Sequence, residues 1–161
     1  MSDKHKFGQR GEWYVAFQLL LFVAIFLSPL ALPDWVDWPN PLDNVGLVLG
    51  LILLGAGGLI AMFGVLSLGR NLTAVPYPKE EANLVESGAY RYVRHPIYSG
   101  IIIGSFGWAL LTNSLFALFL SAVLFLFFDI KSRREEQWLV EKYENYPDYQ
   151  RRVRKLIPLI Y

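Results

Sequence analysis

The chain has 161 residues, 54% hydrophobic and 16% aromatic, with a formal net charge of +1 and a mean hydropathy of +0.33. It has no cysteine, which excludes disulfides, thiolate metal sites and a cysteine nucleophile; with only His5 and His95, a histidine metal centre is not expected either. Balanced charge gives no sign of a nucleic-acid partner, and the length fits one domain, residues 1–161.

Four apolar runs follow in chain order. Trp13 to Leu32 carries no charge, has Gln18 and Pro29 within it, and is long enough to cross about 30 Å of hydrocarbon. A cleaved signal peptide is the competing reading. The run exceeds a usual signal core, however, and Ser28 to Pro33 offers no small-residue cleavage site, so a retained anchor is expected. Val45 to Leu68 carries no charge and makes a second span. Ile97–Leu111 and Leu115–Phe128 are shorter and are separated by Thr112-Asn113-Ser114. As helices they rise only ~21–23 Å, marginal for spans. A tight hairpin is expected, its second arm continuing as helix through Asp129–Tyr143; a re-entrant hairpin stays open.

The expected fold is an all-α polytopic membrane bundle with four spans, about 13–32, 45–68, 97–111 and 115–128. The segments 69–96 and 129–161 are expected on the cytoplasmic side, the latter as a helical tail. With four spans all 15 Lys and Arg residues share one side, cytoplasmic by the positive-inside rule, with both termini. The loop Pro33–Asn44 holds Asp34, Asp37 and Asp43 with no basic residue, and its Trp35 and Trp38 suit an interfacial belt. Gly46-x-x-x-Gly50, Gly55, Gly57, Gly58 and Gly64 in the second run, and Gly100-x-x-x-Gly104 with Gly107 in the third, suit close helix packing within the chain.

Chemistry is expected in the polar segments. Pro76 and Pro78 imply a turning path, and Ser87-Gly88 a turn, before Tyr90-Arg-Tyr-Val-Arg-His95 leads into Pro96, a good first residue for a helix. Arg94 and His95 then stand at a helix N-terminus, a place suited to an anion such as a ligand carboxylate or phosphate. Lipid-headgroup anchoring by the same pair is the plainer alternative. Beyond the fourth run, Lys131-Ser-Arg-Arg-Glu-Glu136 places Asp129, Arg133 and Glu136 on one helix face and Lys131 and Glu135 on another. The basic stretch to Lys155 is expected to lie along the anionic inner leaflet.

The run Leu84–Gly100, followed by Glu135-Glu136-x-x-Leu139, Tyr146-x-x-Tyr149 and Ile157-Pro158 and preceded by Leu68-Gly-Arg-Asn71, resembles the isoprenylcysteine carboxyl methyltransferase and phospholipid methyltransferase superfamily. The similarity covers roughly residues 66 to 159. It implies an integral-membrane enzyme that moves a methyl group from S-adenosylmethionine to a lipophilic acceptor, a carboxylate or an amine. By position, Leu84, Val85, Tyr90, His95, Pro96, Ile97, Tyr98 and Glu135 are implied to contact the cofactor. Arg94, His95 and Glu136 are the implied catalytic set, with Glu136 or His95 as the base if the acceptor is an amine. Where the family carries an arginine linked to the acceptor, this chain has Lys131. The acceptor is expected to enter sideways from the bilayer among membrane lipids, with no metal. The small size suits a bacterial inner-membrane enzyme. Two rivals are an NADPH-dependent reductase of the sterol-reductase type, with Arg91, Arg151 and Arg152 near the phosphates, and a non-enzymatic lipid-binding membrane protein.

Overall fold

A computed structural model of the chain describes residues 11–31, 43–79, 81–157 and 161. The N-terminal basic residues with His5, the loop carrying Asp34, Trp35, Asp37 and Trp38, and Pro158 lie outside the described residues. Among the described residues five α-helices run in order: α1 Glu12–Ala31, α2 Asp43–Leu68, α3 Pro96–Leu111, α4 Leu115–Lys142 and α5 Tyr146–Arg152. Short 3-10 turns cover Gly69–Asn71 and Gly88–Arg91. Among the described residues, extended pairing is limited to one parallel bridge, Val93 with Arg154.

In α1 the residues facing the protein are Tyr14, Gln18, Leu21, Ile25 and Ser28, at alternating spacings of four and three, which makes one stripe on a helix. That stripe packs on α4. Pro29 has no N–H for the Ile25 carbonyl, and the Ser28 hydroxyl supplies the missing donor at 2.8 Å.

The glycines set the α2–α3 distance. A Cβ on Gly57 would sit 2.6 Å from the Gly104 nitrogen, and one on Gly50 would sit 2.6 Å from the Leu111 nitrogen. The two backbones are therefore in direct contact, the close approach that small residues permit inside a membrane. Gly55 and Gly58 meet nothing within 4 Å, so they face away from this seam.

The turn between α3 and α4 is tight. Asn113 takes φ +50°, a left-handed conformation asparagine tolerates, and the Ser114 hydroxyl caps α4 by accepting from the Ala117 N–H at 3.1 Å. As expected, α4 runs unbroken past Phe128 to Lys142. Its buried stripe is apolar through Leu124 and Phe128, then continues as Lys131, Ser132 and Glu136.

Four spans are expected; among the described residues three helices have by themselves the length and hydropathy to cross a bilayer: Glu12–Leu30, Asn44–Asn71 and Leu115–Lys142. The 16-residue α3 rises only ~24 Å and falls short of about 30 Å of hydrocarbon. Apolar helices of this length make the chain an integral membrane protein.

In the tail Arg151, Arg152 and Arg154 are exposed and Lys155 is not. The tail folds back on the bundle, burying Tyr146 and Tyr149, and Lys155 is buried against Asp129 with Nζ 2.6 Å from Oδ1. Backbone hydrogen bonds from Arg94 N to Arg154 O and from His95 N to Lys155 O fasten it beneath the start of α3. A cation with a buried carboxylate partner is not free to meet lipid headgroups.

Candidate active site

A cavity of ≈ 330 Å³ lies between α1, α3, α4 and the segment from Leu68 to Tyr90. That volume falls within the roughly 300–1,000 Å³ typical of small-molecule sites. Its outer wall is the loop after α2, tied to α4 by the edge-on Tyr77 and Trp138 rings at 5.5 Å and by hydrogen bonds from Lys142 to Lys79 O and from Tyr143 to Ala82 O.

His95 is the N-terminal cap residue of α3 and Pro96 its first residue, as the sequence predicts. The anion beside them, however, belongs to the chain. Arg94 grips Glu136 with two donors, Nε to Oε1 at 2.7 Å and Nη2 to Oε2 at 3.3 Å. His95 Nε2 lies 3.0 Å from the same Oε1; facing a carboxylate, it carries the proton and donates. Gln150 Nε2 donates to Oε2 at 3.0 Å. Arg94 Nη1 also donates to the backbone carbonyls of Gln150, at 3.0 Å, and Val153. The Glu136 carboxylate thus receives four hydrogen bonds and joins three separate parts of the chain.

Glu135, one residue earlier, faces the cavity. Its Oε2 accepts from the Tyr98 hydroxyl at 2.8 Å and lies 3.8 Å from His95 Nδ1. The rings of His95, Tyr98 and Phe128 stack in sequence, at 5.3 and 4.5 Å between centroids. Beneath them Lys131 is 1% exposed, with Nζ 5.0 Å from the Tyr98 centroid. The Lys131 ammonium donates to Gln18 Oε1 at 2.7 Å, so this buried cation is held by a neutral acceptor.

Tyr90 reaches the cavity from the 3-10 turn, whose place is held by the Tyr149 hydroxyl donating to Tyr90 O at 2.6 Å. Burial, and secondarily Glu135, raises the Tyr90 hydroxyl above its ordinary range; burial does the same for Tyr149. Both phenols stay protonated and able to donate.

Of the residues singled out from sequence, Leu84, Val85, Tyr90, Arg94, His95, Ile97, Tyr98, Lys131 and Glu135 line the cavity. Two do not. Pro96 points into a separate groove beside α2, and Glu136 lies behind His95 with its oxygens occupied. Glu136, expected as a candidate base, accepts from Arg94, His95 and Gln150. Arg94, expected to meet a ligand anion, spends its donors on Glu136 and on tail carbonyls.

Gln18 and Gln150 were not singled out. Gln18 was legible: its spacing from Tyr14 and Leu21 puts a polar group on the buried stripe of α1. No local pattern marks Gln150, which arrives by the fold-back of the tail.

These features define an integral-membrane helical bundle whose cavity combines a carboxylate, a buried ammonium and stacked aromatic rings. The phospholipid methyltransferase family model matches residues 45–146, and the chain belongs to that family. It is 32% identical over 159 residues to the protein-S-isoprenylcysteine O-methyltransferase of Saccharomyces cerevisiae, covering 93% of this chain and 65% of that one. With protein-S-isoprenylcysteine O-methyltransferase B of Arabidopsis thaliana the identity is 30% over 115 residues, covering 69% and 58%. Among solved structures, the eukaryotic intramembrane Ras methyltransferase ICMT matches with a TM-score of 0.65 and 25% identity, covering 93% of this chain and 53% of that one. The chain therefore spans about 53 to 65% of the length of these three proteins.

Proposed function

We propose that the chain is an S-adenosylmethionine-dependent O-methyltransferase acting on the carboxylate of a lipophilic acceptor, with S-isoprenylcysteine compounds the first class to try. The observation that carries this reading is one cavity in which Glu135 and the tyrosines face a buried Lys131. The donor set fits the cofactor. Glu135 suits an ammonium or ribose hydroxyls, Tyr90 and Tyr98 offer ring faces to a sulfonium, and Leu84, Val85 and Ile97 pack its apolar parts. Pro96 contributes only by starting α3.

Bound there, the cofactor supplies an activated methyl group, so the chain's task is to orient the acceptor and exclude water. Lys131, held toward Tyr98 by Gln18, takes the acceptor carboxylate as a point charge. An ionised carboxylate needs no base at neutral pH, whereas an amine would need its proton removed. Full occupation of Glu136 and of His95 Nε2 favours the carboxylate. Arg94, His95 and Glu136 act as positioning residues that hold Glu135 and Tyr98 in place. The basic segments support a cytoplasmic cavity with the acceptor arriving from the bilayer.

The test is equilibrium binding of labelled S-adenosylmethionine to detergent-purified protein with NADPH as competitor. Methyl transfer is then measured to an S-isoprenylcysteine analogue and to phosphatidylethanolamine. Saturable cofactor binding and a base-labile methyl ester on the analogue are expected. Binding of NADPH alone, or label confined to the amine, overturns the reading.

A further inference from the structure

A second hollow, ≈ 480 Å³, lies on the opposite side of the Tyr90–Pro96 segment from the cavity. One wall is the last turns of α2, with Ile60, Phe63 and Ser67; the other holds Arg91, Tyr92 and Pro96. The two walls are clasped where the Ala89 N–H donates to the Ser67 hydroxyl at 3.1 Å. Gly88 there has φ +62°, and a Cβ on it would lie 3.0 Å from Ser67 Cβ, so a side chain would push the walls apart.

Polarity grades along this groove. Phe63 is 55% exposed on a helix apolar enough to cross a membrane, so that end meets hydrocarbon. About one turn further, ~6 Å along α2, the walls become Ser67 and the exposed Arg91. The Arg91 side chain makes no hydrogen bond or ion pair among the described residues. Tyr92, 69% exposed, adds the amphipathic ring that favours the interface. Among the described residues no Asp or Glu lines the groove, so a headgroup ammonium finds no carboxylate there while a phosphate finds a guanidinium.

We infer that this groove binds one anionic phospholipid, its phosphodiester at Arg91 and an acyl chain along Ile60 and Phe63. The site is separate from the cofactor reading and requires neither cofactor nor acceptor. It shares the Tyr90–Pro96 segment with the cavity, so the lipid would brace the outer side of the strip whose inner side carries Tyr90, Arg94 and His95.

The experiment uses the full chain in phosphatidylcholine nanodiscs doped with phosphatidylglycerol bearing a photoreactive acyl chain, with crosslinks mapped by mass spectrometry. Labelling of residues 60–67 is expected in the wild type, falling about tenfold in Arg91→Glu and persisting in Arg91→Lys. The same photoreactive chain on phosphatidylcholine is expected to label this stretch weakly, a comparison that depends on no variant. Equal labelling by the two lipids, or labelling indifferent to Arg91→Glu, overturns the inference. Displacement of the probe by excess water-soluble glycerophosphoglycerol also overturns it, because the site would then bind a free phosphodiester rather than a lipid.

Discussion

Arg94 and Glu136 are 42 positions apart in the chain, yet they meet through two hydrogen bonds, 2.7 and 3.3 Å, with both side chains about nine-tenths buried. The pair joins the approach to α3 to the far end of α4, and Gln150 brings the tail to the same carboxylate. It is an anchor at the edge of the cavity: Arg94 reaches the lining, whereas Glu136 lies behind it.

Removing one partner leaves the other charge buried and uncompensated. Glu136→Gln is expected to destabilise the protein by about 3 kcal/mol. Thermal unfolding in detergent measures this, and a variant melting with the wild type would refute the anchor.

Glu135 behaves differently because its side chain is 25% exposed and faces the cavity. Glu135→Gln is expected to leave the melting temperature within a few degrees of wild type and to weaken S-adenosylmethionine binding at least tenfold, about 1.4 kcal/mol. Titration calorimetry of the two glutamate variants side by side separates a binding role from an anchoring one.

Gln18→Leu removes the neutral acceptor that holds Lys131. Cofactor affinity is expected to change less than twofold, while the KM for a carboxylate acceptor rises about tenfold, the equivalent of one charge-assisted hydrogen bond. Lys131→Met is expected to abolish acceptor saturation without lowering stability, since an apolar side chain of similar volume replaces a buried cation. Steady-state kinetics with cofactor and acceptor varied separately read both outcomes.

The helix seam gives a matched pair. A Cβ on Gly57 meets the α3 backbone at 2.6 Å, whereas Gly55, two residues away, meets nothing. Gly57→Ala is expected to cost roughly 1–3 kcal/mol through overpacking. Gly55→Ala is expected to be neutral or to stabilise by about 0.5–1 kcal/mol, because alanine is the better helix former. Denaturant midpoints of the two variants should move in opposite directions or, at the least, by clearly different amounts.

Tyr149→Phe deletes the hydroxyl that bonds Tyr90 O at 2.6 Å. A buried carbonyl left without its donor is expected to cost about 1–3 kcal/mol. The backbone that positions Tyr90 should loosen with it, visible as faster amide exchange across Gly88–Arg91.

The sequence by itself determined the apolar helices, the α3–α4 hairpin, the continuous α4 and the start of α3 at Pro96. These follow from local chemistry: run length, proline and cap preferences, and glycine spacing act within a few residues. Charge order along the chain also pointed to the Arg94-His95 and Glu135-Glu136 clusters. Only the tertiary structure decided how those clusters divide their work. Adjacent glutamates on a helix differ by about 100° in direction, so Glu135 turns to the cavity while Glu136 turns to Arg94, His95 and Gln150. Likewise nothing local marks Lys155, alone in the basic stretch Arg151–Lys155, as the cation buried beside Asp129. Which buried charges find each other depends on long-range packing, and no local pattern carries that information.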